Sequence, residues 1–268
     1  MFSNILKRFA SAALVAGVAL LSAVQPGSAT KLDDILSAGK ITIGVLPGLP
    51  PYGQVDTNNE WTGYDPDVAK LIADSLGVQL EIVPVDGPNR LPYLLSGRVD
   101  LVIGVLGVTL ERAKQIAFSH PYAALDVVVV ASKSTKIETP QDLKNVRTAV
   151  VRAASHAQLV EKVAPPGSQI LSFDDDFAQV QAVINGQADA IASSPDVIDR
   201  ILKGRPDFDP DIKLLLHRQF NAIGVRREDT DLLRYVNTVL VYHTNSTNVL
   251  RDLQIEHFGK PFENLPQF

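Results

Sequence analysis

Thr109-Leu-Glu-Arg112 places a hydroxyl and, three residues later, a guanidinium just beyond a short apolar run. Leu101 to Val105 is apolar and partly β-branched, suited to a buried strand and too brief for a helix. Gly104 and Gly107 let the backbone turn and come close to a bound group. Thr109 reads as the N-cap of a following helix. A helix start offers unpaired N–H donors and the positive end of a dipole, which together favour an anion. Arg112 in that first turn opposes the dipole, and local rules are broken most often at functional sites. An arginine beside free N–H groups makes a fork suited to a carboxylate. The competing reading is a surface arginine paired with Glu111 or a neighbouring acid.

The elements that must hold this fork follow from the rest of the chain. Its 268 residues, 46% hydrophobic and 21% charged, are ordinary for a globular protein, with room for one large domain or two lobes. Lys7 and Arg8 precede an apolar segment from about Phe9 to Val24 that ends in Gly27-Ser28-Ala29. This is the pattern of a secretory signal over residues 1–29, removed on export, and it is too short to span a membrane comfortably. The chain has no cysteine, so it has neither disulfides nor a lipid anchor on a cysteine. A soluble protein held in a bacterial periplasm is expected. Losing Lys7 and Arg8 would take the formal charge from −5 to −7, an acidity that argues against nucleic-acid partners.

After a short amphipathic helix, Lys31 to Ala38, the run Ile41 to Leu46 reads as strand, and Pro47, Pro50 and Pro51 force a loop carrying Tyr52. Asp56 to Glu60 reads as a hairpin turn. Gly63 to Gly77 is the clearest helix, with Asp65 expected as its cap and Pro66 at the first helical position. Val78 to Val83 (strand), Asn89 to Ser96 (helix) and Val99 to Ile103 (strand) complete a β-α-β-α-β unit, which implies a parallel sheet covered by helices. Val127 to Ala131 is an extended run leading away from this sheet.

The alternation then repeats. Strands are expected over Thr148–Val151, Gln169–Phe173 and Ala188–Ala192, with helices over Ser155–Val163, Asp176–Asn185 and Pro195–Lys203. Two last helices run from Asp231 to Tyr242 and from Asn248 to His257, the latter capped by Ser246 or Thr247. Two α/β units joined by extended segments place a ligand between them, at the carboxyl ends of the strands. The Gly107–Arg112 stretch lies after a strand, where that rule puts a site.

Four segments together resemble the periplasmic solute-binding proteins of polar amino-acid importers, the extracellular solute-binding family 3 typified by glutamine- and histidine-binding proteins. They are Gly39-Lys-Ile-Thr-Ile-Gly-Val45, Trp61-Thr-Gly-Tyr-Asp-Pro-Asp-Val-Ala-Lys70, Asn89-Arg-Leu-Pro-Tyr-Leu-Leu-Ser-Gly-Arg-Val-Asp-Leu101 and Val108-Thr-Leu-Glu-Arg-Ala-Lys-Gln-Ile-Ala-Phe-Ser-His-Pro-Tyr122. The resemblance implies an α/β fold of two lobes, each a mostly parallel sheet flanked by helices, hinged around a ligand cleft. Lobe 1 would hold residues 31–122 plus 222–268, and lobe 2 residues 123–221. It implies that Arg112 grips a ligand carboxylate, helped by Thr109 and Gly107. Ser155, in the loop after the first strand of lobe 2, would meet the same group on closure.

The chain departs from that pattern at several positions. Where such proteins carry a carboxylate for the ligand's α-ammonium, this chain has Ser194, with Asp196 two residues on. Asp196, Asp174 and Asp175 are candidates to replace it, and a carboxylate ligand without an α-amine is the alternative. Leu49 stands where an aromatic wall is usual, Leu46 where a polar group is usual, and Gly104 and Gly107 where serines are usual.

Tyr52 is a candidate for stacking on a ligand or for covering the first sheet, whereas Trp61 reads as packing. The resemblance implies that Arg90 sits near the cleft, and capping a helix or pairing with Asp100 are the alternatives. Arg152 could contact a second acidic group or pair with Asp174. The run Asp174-Asp-Asp176 reads as helix capping. The five histidines lack metal-ligand spacing, and no phosphate loop, dinucleotide fingerprint or nucleophile elbow occurs. No metal, cofactor or catalytic residue is therefore expected. The expected function is the substrate-binding component of an ABC importer, a monomer that takes up a small carboxylate-bearing solute and passes it to a membrane permease. The alternatives are a cyclohexadienyl (prephenate or arogenate) dehydratase-like enzyme on the same scaffold, or a soluble ligand sensor.

Overall fold

The computed structural model describes residues 29–195, 198–199 and 208–266. The signal-peptide reading over 1–29 therefore lies outside the described residues except for Ala29, as does Asp196. Of the helix expected over Pro195–Lys203, only Pro195, Ile198 and Asp199 are described, all three helical. Among the described residues, no helix is long and apolar enough to cross a membrane.

One eight-stranded sheet organises the chain. Its strands are β1 (Lys40–Val45), β4 (Gln79–Pro84), β5 (Leu101–Ile103), β6 (Ala117–Ser132), β7 (Arg147–Val151), β8 (Gln169–Phe173), β9 (Ala190–Ser193) and β10 (Pro210–Val225). A separate small hairpin pairs β2 (Gln54–Val55) with β3 (Trp61–Thr62) around the turn expected at Asp56–Glu60. The strand order is β4-β1-β5-β10-β6-β9-β7-β8. β1 pairs in parallel with β4 and β5 at one end, and β7 pairs in parallel with β8 and β9 at the other. These two parallel trios are the two lobes. The antiparallel pair of β6 and β10, each 16 residues long, runs between them and belongs to both.

The helices are α1 (Lys31–Ala38), α2 (Tyr64–Leu76), α3 (Arg90–Leu95), α4 (Leu110–Ala113), α5 (Ser155–Val163), α6 (Asp176–Ile184), α7 (Thr230–Asn245) and α8 (Val249–Phe258). Each lobe buries both faces of its trio. In the first, α2 lays Val68, Ile72 and Leu76 against Ile41 and Ile43 of β1, while Leu94, Val102 and Ile116 fill the other side. In the second, Val180 and Ile191 pack on one face, and Val150, Val160 and Ala192 on the other. A fully buried side chain of this kind contributes about 1.5–3 kcal/mol, so each trio has its own core.

Three details depart from the sequence reading. β6 extends well beyond Val127–Ala131, and β10 is a long strand where none was expected. Asp65 does not cap α2: Gly63 occupies the N-cap, and Asp65 is fully buried one position inside the helix, where its oxygens accept from the Tyr122 hydroxyl and the Val105 N–H. α8 starts from Asn248 in a left-handed conformation (φ 61°) rather than from Ser246 or Thr247.

Candidate functional site

The lobes meet over a cavity of about 350 Å³. The loop after β5 forms one wall. Asp65 holds this loop by accepting the Val105 N–H at 3.2 Å and the Tyr122 hydroxyl at 2.7 Å. Val105 lines the cavity in a left-handed backbone conformation (φ 47°), costly for a β-branched residue and kept only where its surroundings over-determine it. Burial pushes the Asp65 carboxyl up to about 7, against the pull of the Tyr122 hydroxyl, the Val105 N–H and Arg90.

The loop then reaches α4. Thr109 is its N-cap, its hydroxyl accepting the Arg112 N–H at 3.2 Å. Arg112 turns inward, is 6% exposed, and donates to the carbonyl oxygens of Gly107 and Ala153, each at 2.7 Å. Ala153 belongs to the second lobe, so this one side chain ties the lobes together. No acidic side chain pairs with Arg112 among the described residues. Burial, with Arg90 adding to it, lowers its pKa to about 9, still leaving it charged near neutrality.

Arg90, at the start of α3, is a second buried guanidinium and lines the cavity directly. It is 4% exposed, Nη1 donates to the Gly104 carbonyl at 2.9 Å, and Nε has no partner. Asp100, one partner considered for it, is engaged elsewhere: it accepts the Thr42 N–H and the Lys31 ammonium. Burial lowers the Arg90 pKa to about 10, although Asp176, Tyr122, Asp86 and Asp65 all oppose the shift.

The opposite wall comes from the second lobe. Ala153 is also left-handed (φ 58°), which aims its carbonyl at Arg112. Ser155 is buried and donates to Gln219 Oε1 from β10, while Gln219 Nε2 donates to Asn221 Oδ1 at 2.5 Å. Gly107 packs against this pair so closely that an added Cβ would stand 2.5 Å from Gln219 Cδ and 2.8 Å from Ser155 Oγ. Gly87 meets the backbone of Arg152 in the same way, at 2.7 Å from its carbonyl oxygen. The structure is thus a closed form. His156 Nε2 accepts the Val151 N–H, and burial, reinforced by Arg90 and Arg112, lowers its pKa to about 4, so the ring is neutral.

Of the residues singled out in the sequence, Leu46, Leu49, Tyr52, Arg90, Ser155, Asp174, Asp175 and Ser194 line the cavity. Tyr52 is buried and packs on Phe258 at 5.0 Å. Thr109, Gly107 and Arg112 stand behind the lining, with Arg112 reaching between the lobes. Arg152 is exposed and pairs with Asp174 at 3.2 Å. Asp175 caps α6 by accepting the Ala178 N–H at 2.7 Å, as the capping reading expected, and Asp176 beside it, which caps nothing, also lines the cavity. Sequence reasoning missed Asp176, His156 and Gln219. An arginine in Asn89-Arg-Leu-Pro was the available hint for Arg90, and no comparable signal marks Gln219.

The cavity lies between the two lobes, with the buried guanidinium of Arg90 in its wall and that of Arg112 behind it, neither in a salt bridge among the described residues. Residues 41–260 match the bacterial extracellular solute-binding proteins, family 3. The ABC transporter arginine-binding protein 1 of Escherichia coli (strain K12) is 27% identical over 76% of this chain and 85% of its own. The L-cystine-binding protein TcyJ of the same strain is 26% identical, covering 92% of each chain. Among solved structures, the P235GK mutant of ArgBP from T. maritima superposes with a TM-score of 0.78 at 31% identity, covering 85% of this chain and 99% of that one. The first two are named as binding proteins, for arginine and for L-cystine. With the two-lobed fold, the interlobe cavity and a match over most of its length, the chain belongs to the bacterial extracellular solute-binding proteins, family 3.

Proposed function

We propose that the protein is the periplasmic substrate-binding component of an ABC importer for a small carboxylate-bearing solute, an amino acid or a close relative. The observation that carries this reading is the pair of buried guanidiniums, Arg112 and Arg90, with no carboxylate paired to either among the described residues. Burying a cation is costly without a counter-charge, so a ligand carboxylate is the natural complement. The cavity, about 350 Å³, lies at the small end of the range of roughly 300–1,000 Å³ typical of ligand pockets. Leu49, Tyr52 and Val105 give it an apolar flank, and the relatives that bind arginine and cystine support an amino-acid ligand.

In this reading Arg112, Thr109 and Gly107 anchor the carboxylate from the first lobe and Ser155 meets it on closure, with Ser194 nearby. The lobes divide as 31–122 plus 222–268 and 123–221. A register shift between Asn221 and Ala222, opposite Ala123 and Pro121, falls at that division and supports it. The protein acts as an exported monomer that presents its closed, loaded form to a membrane permease. Native mass spectrometry of protein isolated from cells should show a retained small acid, which the Arg112→Met variant lacks. A protein that emerges empty and shows no calorimetric response to any L-amino acid, 2-hydroxy acid or other small carboxylate would refute the assignment.

A further inference from the structure

The cavity has two kinds of charged group, and only one of them is used by a carboxylate ligand. The segment entering α6 brings three acids to its edge, Asp174, Asp175 and Asp176. Two are accounted for: Asp174 pairs with Arg152, and Asp175 caps the helix. Asp176 faces the cavity, and its one recorded side-chain contact is a long hydrogen bond, 3.4 Å, from the Ser193 hydroxyl. No lysine, arginine or histidine among the described residues comes within ion-pair distance of it. Arg90 feels its charge from the other lobe, but the two do not touch. Beside it Ser194, 4% exposed, lines the same cavity with an Oγ that has no hydrogen-bond partner. A carboxylate and a hydroxyl on residues that line one cavity, both short of partners, are acceptors for a group carrying several N–H donors.

We infer that Asp176, with the Ser194 hydroxyl beside it, receives a cationic nitrogen of the ligand. The cavity therefore selects a small zwitterion over a plain carboxylate. This inference rests on the reading of the protein as a carboxylate receptor. The guanidiniums of Arg112 and Arg90 serve the negative end of the ligand and Asp176 the positive end. Burial favours the neutral form of Asp176, and the Ser193 hydroxyl and then Arg90 oppose it.

The test is a thermal-shift screen of the purified full chain against the L-amino acids and L-cystine, followed by calorimetry. The best amino acid is compared with the 2-hydroxy acid bearing the same side chain, and 5-aminopentanoate reports a cation placed away from the α-carbon. The wild-type protein should prefer the amino form by about 30-fold or more, the scale of a hydrogen bond to a charged group. In Asp176→Asn that preference should shrink to about threefold or less, as expected once the charge is gone, with an unchanged circular dichroism spectrum. Asp176→Ser replaces it if the asparagine variant does not fold. Equal wild-type affinity for amino and hydroxy acids, with 5-aminopentanoate no better, overturns the inference but leaves the carboxylate reading standing. A preference that survives intact in the variant also overturns it. If no carboxylate binds at all, both readings fall.

Discussion

The guanidinium of Arg112 donates to the carbonyl oxygen of Ala153 at 2.7 Å, joining a first-lobe helix to a second-lobe loop. The same side chain holds Gly107 in its own lobe. In the proposed reading, anion binding and lobe closure share this one residue. Arg112→Met should lower ligand affinity by at least about 100-fold, since both the charge and the tie across the cleft are lost. Small-angle scattering should then show no ligand-induced compaction. Arg112→Lys should fall short of wild type as well, because a single ammonium cannot reproduce a planar fork spanning two carbonyls.

Gly107 and Gly87 are both small where the lobes touch. A methyl group on Gly107 would press on Gln219 and Ser155, and one on Gly87 on the Arg152 carbonyl. Gly107→Ala and Gly87→Ala should each weaken ligand binding by about 10-fold or more, on the scale of overpacking strain of 1–3 kcal/mol. Unfolding midpoints without ligand should stay nearly constant, because an open protein avoids the clash. Calorimetry alongside urea unfolding separates these effects. A large loss of unliganded stability would show that the contacts belong to the core rather than to closure.

Asp65 accepts from both Tyr122 and Val105. Asparagine at this position retains one acceptor oxygen, so either the Val105 N–H or the Tyr122 hydroxyl loses its acceptor. Asp65→Asn should cost about 1–3 kcal/mol of stability, the usual range for an orphaned buried donor. The pH dependence should change too. The folded carboxyl titrates near 7 against 3.8 when unfolded, so the folded state holds its proton longer. Its contribution is full below about pH 4 and is lost as pH rises toward 7. Asp176, raised to about 6, acts in the same direction, while His156, lowered to about 4, acts oppositely and adds stability as pH rises toward 6.5. Denaturant unfolding from pH 4 to 8 should show a smaller decline in Asp65→Asn than in wild type.

Ligand affinity should also fall in acid. Burial raises Asp176 to about 6, Asp175 adds to the shift, and the Ser193 hydroxyl and Arg90 pull it back. A ligand cation binds the ionised form, so its dissociation constant should rise by up to about tenfold per unit below pH 6. His156, which also lines the cavity, protonates near 4 and contributes only at the bottom of that window. Calorimetry at pH 7.5, 6.0 and 5.0 measures this. A flat profile would mean that the proton and the ligand do not compete at Asp176.

Much of the architecture was legible because it is written locally. The apolar runs at β1, β4, β7 and β8, the cap at Thr109 and the glycine stops between elements each carry their signal within a few residues. β10 was not, because its first half alternates exposed and half-buried residues and its partner β6 lies about ninety positions away. Asp176 was hidden by its neighbours. A run of three acids at a helix start has a sufficient local explanation, which Asp175 alone fulfils. One position further on, about 100° around the helix axis, the side chain meets the cavity instead. Arg90 was ambiguous while Asp100 was a possible partner, and only the fold shows Asp100 held by Lys31 and the Thr42 amide.

The β6–β10 ribbon crosses from lobe to lobe as two strands side by side, with register shifts between Asn221 and Ala222 and between Ala222 and Gly224. Such irregularities bend and over-twist a strand. A double tether with a built-in crease lets the halves swing apart but resists sliding or free rotation. In the proposed importer, opening confined in this way would let a permease tell loaded from unloaded copies by a single angle.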